Sequence, residues 1–225
     1  MGEMNKRVVR GASPVTIYCD MYAFEGLVIR LMLSIKGVNA FDMVNVNHAL
    51  PSPELFELTL IQGLPVMSYK TSILEGLDVI MSFIEENSKT RNPVLVPDEP
   101  SIRAVYRMCI FRIVNFWQKA LNNLANERDV GRSTAFLTEQ FNEISIYLNK
   151  RYFNSNSITM VDVYLIAFIY MLTLVDFDYS GVDKRFIKYR NENVSSGVFL
   201  DALSDNEKKD VRFVIAKTKY MGFDG

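Results

Sequence analysis

The chain has 225 residues and a mass of 25.8 kDa, enough for one large domain or two small ones. Apolar residues make up 49% and charged residues 23%, a globular balance that argues against disorder. Lys and Arg total 25 against 26 Asp and Glu, so the net charge is −1 and a surface built for duplex nucleic acid is not expected.

The predicted elements alternate at first. Val15 to Cys19 reads as a short buried strand. Phe24 to Lys36 is apolar at helical spacing through Leu27, Leu31 and Ile35, and Gly37 suits the residue just past a helix. Phe41 to Val46 reads as a second strand and Pro53 to Ile61 as a short helix. Pro65 to Tyr69, a turn at Lys70 and Thr71, and Ser72 to Leu74 predict a hairpin. Glu75 to Glu86 returns to helix, completing the order βαβαββα. Asn87 to Pro100, with Pro93, Pro97 and Pro100, reads as a linker.

Beyond it the pattern is helical. Ile102, Tyr106, Cys109, Ile110, Ile113 and Trp117 predict one apolar stripe, with Pro100 near the helix start. Leu137, Phe141, Ile144 and Leu148 form a second stripe. Thr159 and Asp162 spell a capping box before Val163 to Val175. That 13-residue apolar run is bracketed by Asp162 and Asp176 and is shorter than the about 20 residues of a membrane span, so a buried core helix is expected. Asp183 to Asn193 predicts a polar helix, and Ser204 with Glu207 spells a second capping box. The resulting expectation is an α/β domain over residues 1–87, a linker over 88–100 and an all-helical domain over 101–225.

Several chemistries are thin. No export signal is read at Met1 to Arg10, and a cytoplasmic location is expected. Cys19 and Cys109 suggest a reducing compartment. His48 is the one histidine, read as a loop residue, and no metal site is expected. Arg103 and Arg107 share a face at i,i+4 spacing, whereas Arg112 lies about 140° from Arg107, so the three form no stripe. An exposed salt bridge is the default use of the Arg103–Arg107 pair, with an acidic partner or a phosphate as the other.

The order α/β then all-α, with Gly63-Leu64-Pro65 and Glu75 at a helix start, resembles the glutathione transferase fold, a thioredoxin-like domain followed by a helical one. The resemblance places a cis peptide at Pro65 and makes Thr159-x-x-Asp162 the capping box of the buried helix. More narrowly, Asn5-Lys6-Arg7, Ile29-Arg30, Lys36-Gly37-Val38, Arg103, Arg107, Arg112-Ile113, Trp117, Asp162-x-Tyr164-Leu165 and Phe199-Leu200-x-x-Leu203-Ser204 with Glu207 resemble the stringent starvation protein A family. That family implies a bacterial cytoplasmic protein associated with RNA polymerase holoenzyme, with no cofactor, no direct nucleic acid contact and no membrane. It also implies a homodimer or a heterodimer with a paralogue, paired through the helix at 75–86 and the helix at 100–126, where Met81, Phe83 and Tyr106 look surplus to the core.

Two departures matter. The family's Pro-His-Pro loop corresponds to Lys89-Thr90-Arg91-Asn92-Pro93, of which only Pro93 remains. Lys89, Arg91, Asn92 and Pro93 are the candidate partner-binding residues, with the Arg103 and Arg107 face as the alternative place for the interface; the other reading of Asn87 to Pro100 is a solvent-facing hinge. Transferases of the fold activate a thiol with Ser, Tyr or Cys after the first strand. Here Cys19-Asp20-Met21-Tyr22 carries no serine, and Cys19 and Tyr22 read as packing residues. Gly76 stands where the fold places a serine for the γ-glutamyl carboxylate, although its backbone N–H and the helix N-terminus would remain. The expected function is therefore a non-catalytic transcription regulator of the starvation response. A glutathione-dependent transferase or peroxidase-like enzyme is the alternative, and an inactive structural dimer partner comes third.

Overall fold

The computed structural model describes residues 15–38, 41–46, 63–88, 92–205 and 207–208. The predicted helix at 53–61, His48, Lys89 and Arg91 lie outside the described residues.

Strands β1 (Val15–Cys19), β2 (Asp42–Asn45), β3 (Val66–Tyr69) and β4 (Ser72–Glu75) form one mixed sheet in the order β2-β1-β3-β4. β1 runs parallel to β2 and antiparallel to β3, and β3 pairs antiparallel with β4. The tight turn at Lys70 needs a left-handed backbone, φ 54°. The Leu64–Pro65 peptide is cis, as the resemblance implies, and Asn92–Pro93 is cis as well.

Helix α1 (Phe24–Lys36) is buried on most of its circumference, because it is covered by the sheet and by the helical half. It stops where Gly37 turns left-handed at φ 58°. There the Gly37 N–H reaches the Ser34 carbonyl and the Val38 N–H the Leu33 carbonyl, a Schellman closure. Helix α2 (Leu77–Asn87) starts later than the sequence suggests. Glu75 is the last residue of β4 and pairs with Val66, so hairpin register takes the residue that helix propensity would claim.

The helical half opens with α3 (Pro100–Arg112), capped by the Glu99 carboxylate accepting from the Ser101 N–H. A π-helical turn (Ile113–Trp117) and α4 (Gln118–Ala125) continue it. Helix α5 (Val130–Ile144) follows, then the central α6 (Met160–Thr173), α7 (Lys184–Val194) and the short α8 (Gly197–Ala202). Tyr106, Cys109, Ile113 and Trp117 of the expected stripe are buried. Ile102 is exposed, since the first turn of α3 projects beyond the core.

Aromatic rings knit the core. Phe141 stacks on Phe186 at 4.3 Å and meets Trp117 edge to face at 5.3 Å. Phe24 of α1 meets Tyr164 and Phe168 of α6, each at 6.3 Å, which seats the α/β half on the helical half. Asp162, fully buried, accepts from Thr159 N–H and hydroxyl (both 2.7 Å), Phe153 N–H (2.9 Å) and Tyr189 hydroxyl (2.6 Å). Burial pushes its carboxyl up, against the pull of the donors. The second capping box also forms, with Ser204 N–H on Glu207 at 2.8 Å. Among the described residues no helix is long and apolar enough to cross a membrane.

Candidate functional site

The segment after β1 is tightly held. A Cβ on Gly26 would lie 2.2 Å from the Asp20 carbonyl oxygen, so glycine is what lets this turn lie on α1. Asn45 accepts from the Met21 N–H at 2.9 Å, and Arg30 donates to the Met21 carbonyl at 2.8 Å. Within this frame Cys19 is 1% exposed, and burial pushes its thiol up to about 12. Such a thiol is protonated near neutrality and is a poor nucleophile. Tyr22 is 66% exposed.

The start of α2 offers less to an anion than the sequence suggests. The Gly76 N–H donates to the Pro65 carbonyl at 3.0 Å, extending the β3–β4 ladder, and so is not free for a carboxylate. Asp78 puts a negative charge in the first turn, which opposes a second anion there. Its Oδ1 accepts from the Tyr164 hydroxyl at 3.3 Å.

A cleft of about 880 Å³ lies between α2 and α3. It brings together what the sequence lays out as two alternatives. Val94, Val96, Pro97 and Asp98 of the linker border it, and so do Arg103 and Arg107. Asp78, Glu85 and Glu86 line it too, giving one acidic wall and one basic wall. Among the described residues neither Arg103 nor Arg107 is in an ion pair, whereas Arg112 is held by Glu143 at 3.0 Å on another side. Asn92 is exposed and Pro93 half-buried at the edge of this region. Met81 and Tyr106, expected as surplus apolar residues, are only 2% and 7% exposed and belong to the core, and Phe83 is half-buried against Tyr69. Exposed apolar residues at the cleft are instead Val94, Met108 and Phe111, with Phe116 next to Phe111. Sequence periodicity misses Met108 and Phe111 because α3 carries apolar residues on both faces. Among the described residues no group of three or more His, Cys, Asp or Glu side chains could hold a metal.

Among curated proteins, a stringent starvation protein A homolog of Pasteurella multocida is 27% identical over 172 residues, covering 75% of this chain and 78% of that protein. The homolog of Haemophilus ducreyi is 22% identical over 173 residues, with the same coverage. The chain is similar to stringent starvation protein A homologs at this divergent level of identity. No family model matches it. Among solved structures, the Omega 3C glutathione transferase of Trametes versicolor superposes with a TM-score of 0.75 at 14% identity, covering 86% of this chain and 90% of that one. Rice GST1, in complex with glutathione, also gives 0.75, at 15% identity over 93% and 99%. The fold is thus that of the glutathione transferases, a thioredoxin-like α/β part followed by an all-helical part.

Proposed function

We propose that this chain is a non-catalytic, RNA polymerase-associated regulator of transcription in the starvation response, acting as a homodimer or as a heterodimer with a paralogue in the bacterial cytoplasm. What supports this reading is the buried, protonated Cys19 and the absence of a serine after β1, in a chain similar to stringent starvation protein A homologs. Cys19 is sealed and protonated, Tyr22 faces solvent, and the Gly76 N–H is already used. What the chain offers instead is a surface. Asn92 and Pro93, with Lys89 and Arg91 beside them in sequence, adjoin the cleft that carries Arg103 and Arg107. Cations around exposed apolar residues suit an acidic protein partner, since charge steers encounter and apolar burial holds the complex.

The test is recovery of RNA polymerase from the native cell extract with the tagged chain. Combining Lys89→Glu, Arg91→Glu and Pro93→Ala should reduce recovery at unchanged melting temperature and oligomer mass. Undiminished recovery moves the interface to the Arg103 and Arg107 face, and absence of polymerase from the wild-type eluate sinks the reading.

The second reading is a glutathione-dependent transferase or peroxidase-like enzyme. It is favoured by the superposition on rice GST1, solved with glutathione. Turnover of an aryl halide with glutathione that is abolished by Cys19→Ala or Tyr22→Phe would establish it in place of the first.

A further inference from the structure

The linker beside the cleft is held from beneath by a charge pair. The side chain of Lys36, at the end of α1, has no solvent exposure, and that of Glu85, near the end of α2, has 9%. The ammonium lies 2.7 Å from Glu85 Oε2 and donates to the Pro93 carbonyl at 2.6 Å. Glu85 Oε1 accepts from the Leu95 N–H at 2.9 Å and the Val96 N–H at 3.4 Å. The Leu95 carbonyl in turn accepts from the Met160 N–H at 2.9 Å. Two helices of the α/β half thus grip the linker backbone at Pro93, Leu95 and Val96, and α6 holds it at the Leu95 carbonyl.

Stability alone is a poor account of such a pair. Two charges removed from water recover little net free energy, and a well-packed apolar pair often does as well. What the pair supplies is geometry. Its three backbone contacts specify where residues 93–96 run, and an apolar pair could make none of them. A loop fixed before encounter loses less conformational entropy on binding.

We propose that Lys36 and Glu85 are positioning residues that fix the shape of the 92–96 segment and thereby set the affinity of the partner surface. The affinity half rests on the polymerase reading above; the loop half does not. Two paired substitutions separate them. Lys36→Met with Glu85→Leu removes the charges and every acceptor for the Leu95 and Val96 amides. Lys36→Met with Glu85→Gln removes the charges but keeps an acceptor. Both are measured in the full chain by residue-resolved amide exchange, thermal melting and polymerase recovery.

Exchange at Leu95 and Val96 should accelerate by at least about tenfold in the leucine pair and stay near wild type in the glutamine pair, at closely similar melting temperatures. Polymerase recovery should fall several-fold in the leucine pair alone. Unchanged exchange in the leucine pair overturns the proposal, and so does faster exchange with full polymerase recovery. If wild type recovers no polymerase, the exchange arm still decides the loop half while the function reading fails by itself. Should the leucine pair not fold, the wild type suffices for the loop half. Its Leu95 and Val96 amides should exchange roughly 100-fold more slowly than a free peptide, and exchange at the free-peptide rate overturns it.

Discussion

Phe111 and Phe116 meet edge to face with ring centroids 5.7 Å apart, although both are at least half exposed. Residues five apart on a regular α-helix point about 140° away from each other. The π turn resolves this: the Gln118 N–H donates to the Ile113 carbonyl five residues back, and the widened turn carries Phe116 round towards Phe111. Ile113 and Trp117, four apart as on a regular helix face, are both in the core. The exposed aromatic pair continuous with the cleft follows from the widened turn.

The pair should matter more for association than for stability. Phe111→Ser with Phe116→Ser removes half-exposed rings, so unfolding free energy should change by under about 1 kcal/mol. Light scattering of the wild type should give a mass near twice 25.8 kDa at micromolar concentration, and the double variant should shift towards the monomer. A monomeric wild type refutes the dimer.

Cys19 should be chemically silent. Its thiol is pushed up from 9.0 to about 12 by burial, so an alkylating reagent should label the native protein slowly near pH 8 and the unfolded protein fast. The folded state holds this proton more tightly than the unfolded one. Its linked contribution is therefore complete below pH 9.0 and lost as pH rises towards about 12. Cys19→Ala should flatten that alkaline loss in a series of denaturant melts.

Asp162 should be the costliest single polar site. Asp162→Ala strands four donors from Thr159, Phe153 and Tyr189 and should destabilise by about 3–5 kcal/mol. Asp162→Asn keeps an acceptor and should cost less, about 1–3 kcal/mol. Equal costs in urea melts would count against the network.

Arg30 and Glu207 predict an acid-sensitive clasp. Burial alone would raise the Glu207 carboxyl, but the Arg30 guanidinium at 2.6 Å and Ser204 outweigh it and hold it below 4.5. The clasp's contribution is thus present above pH 4.5 and lost as pH falls through the lower folded value. Amide exchange around residues 199–205 should speed up at acid pH in the wild type. In Arg30→Met it should already be fast at neutral pH.

The parts legible in the sequence are those encoded at short range. Both capping boxes are spelled at a spacing of three and both form, and Gly37 marks the end of α1. The second apolar stripe, Leu137 to Leu148, is buried throughout. What escapes is set at long range. The π turn has no local signature, and the spacing of four between Ile113 and Trp117 suits a regular helix equally well. Glu75 is claimed by its β3 partner Val66. The Lys36–Glu85 pair joins residues 49 positions apart (85 − 36), beyond any periodicity. The candidate surface was legible as two separate pieces, and the helix packing that makes them neighbours was not.

The Arg30 clasp also bears on how the chain is made. Arg30 leaves the ribosome early, yet its carboxylate partner lies 177 residues downstream and the Ala202 carbonyl it also bonds lies 172 downstream. During synthesis α1 therefore waits with a guanidinium held by the Met21 carbonyl but without its counter-charge, and contacts of such separation form late. Completion of the first-made half is tied to arrival of the last-made segment. A chain released before residue 207 leaves that cation without its counter-charge, an internal mark by which an unfinished product differs from a finished one.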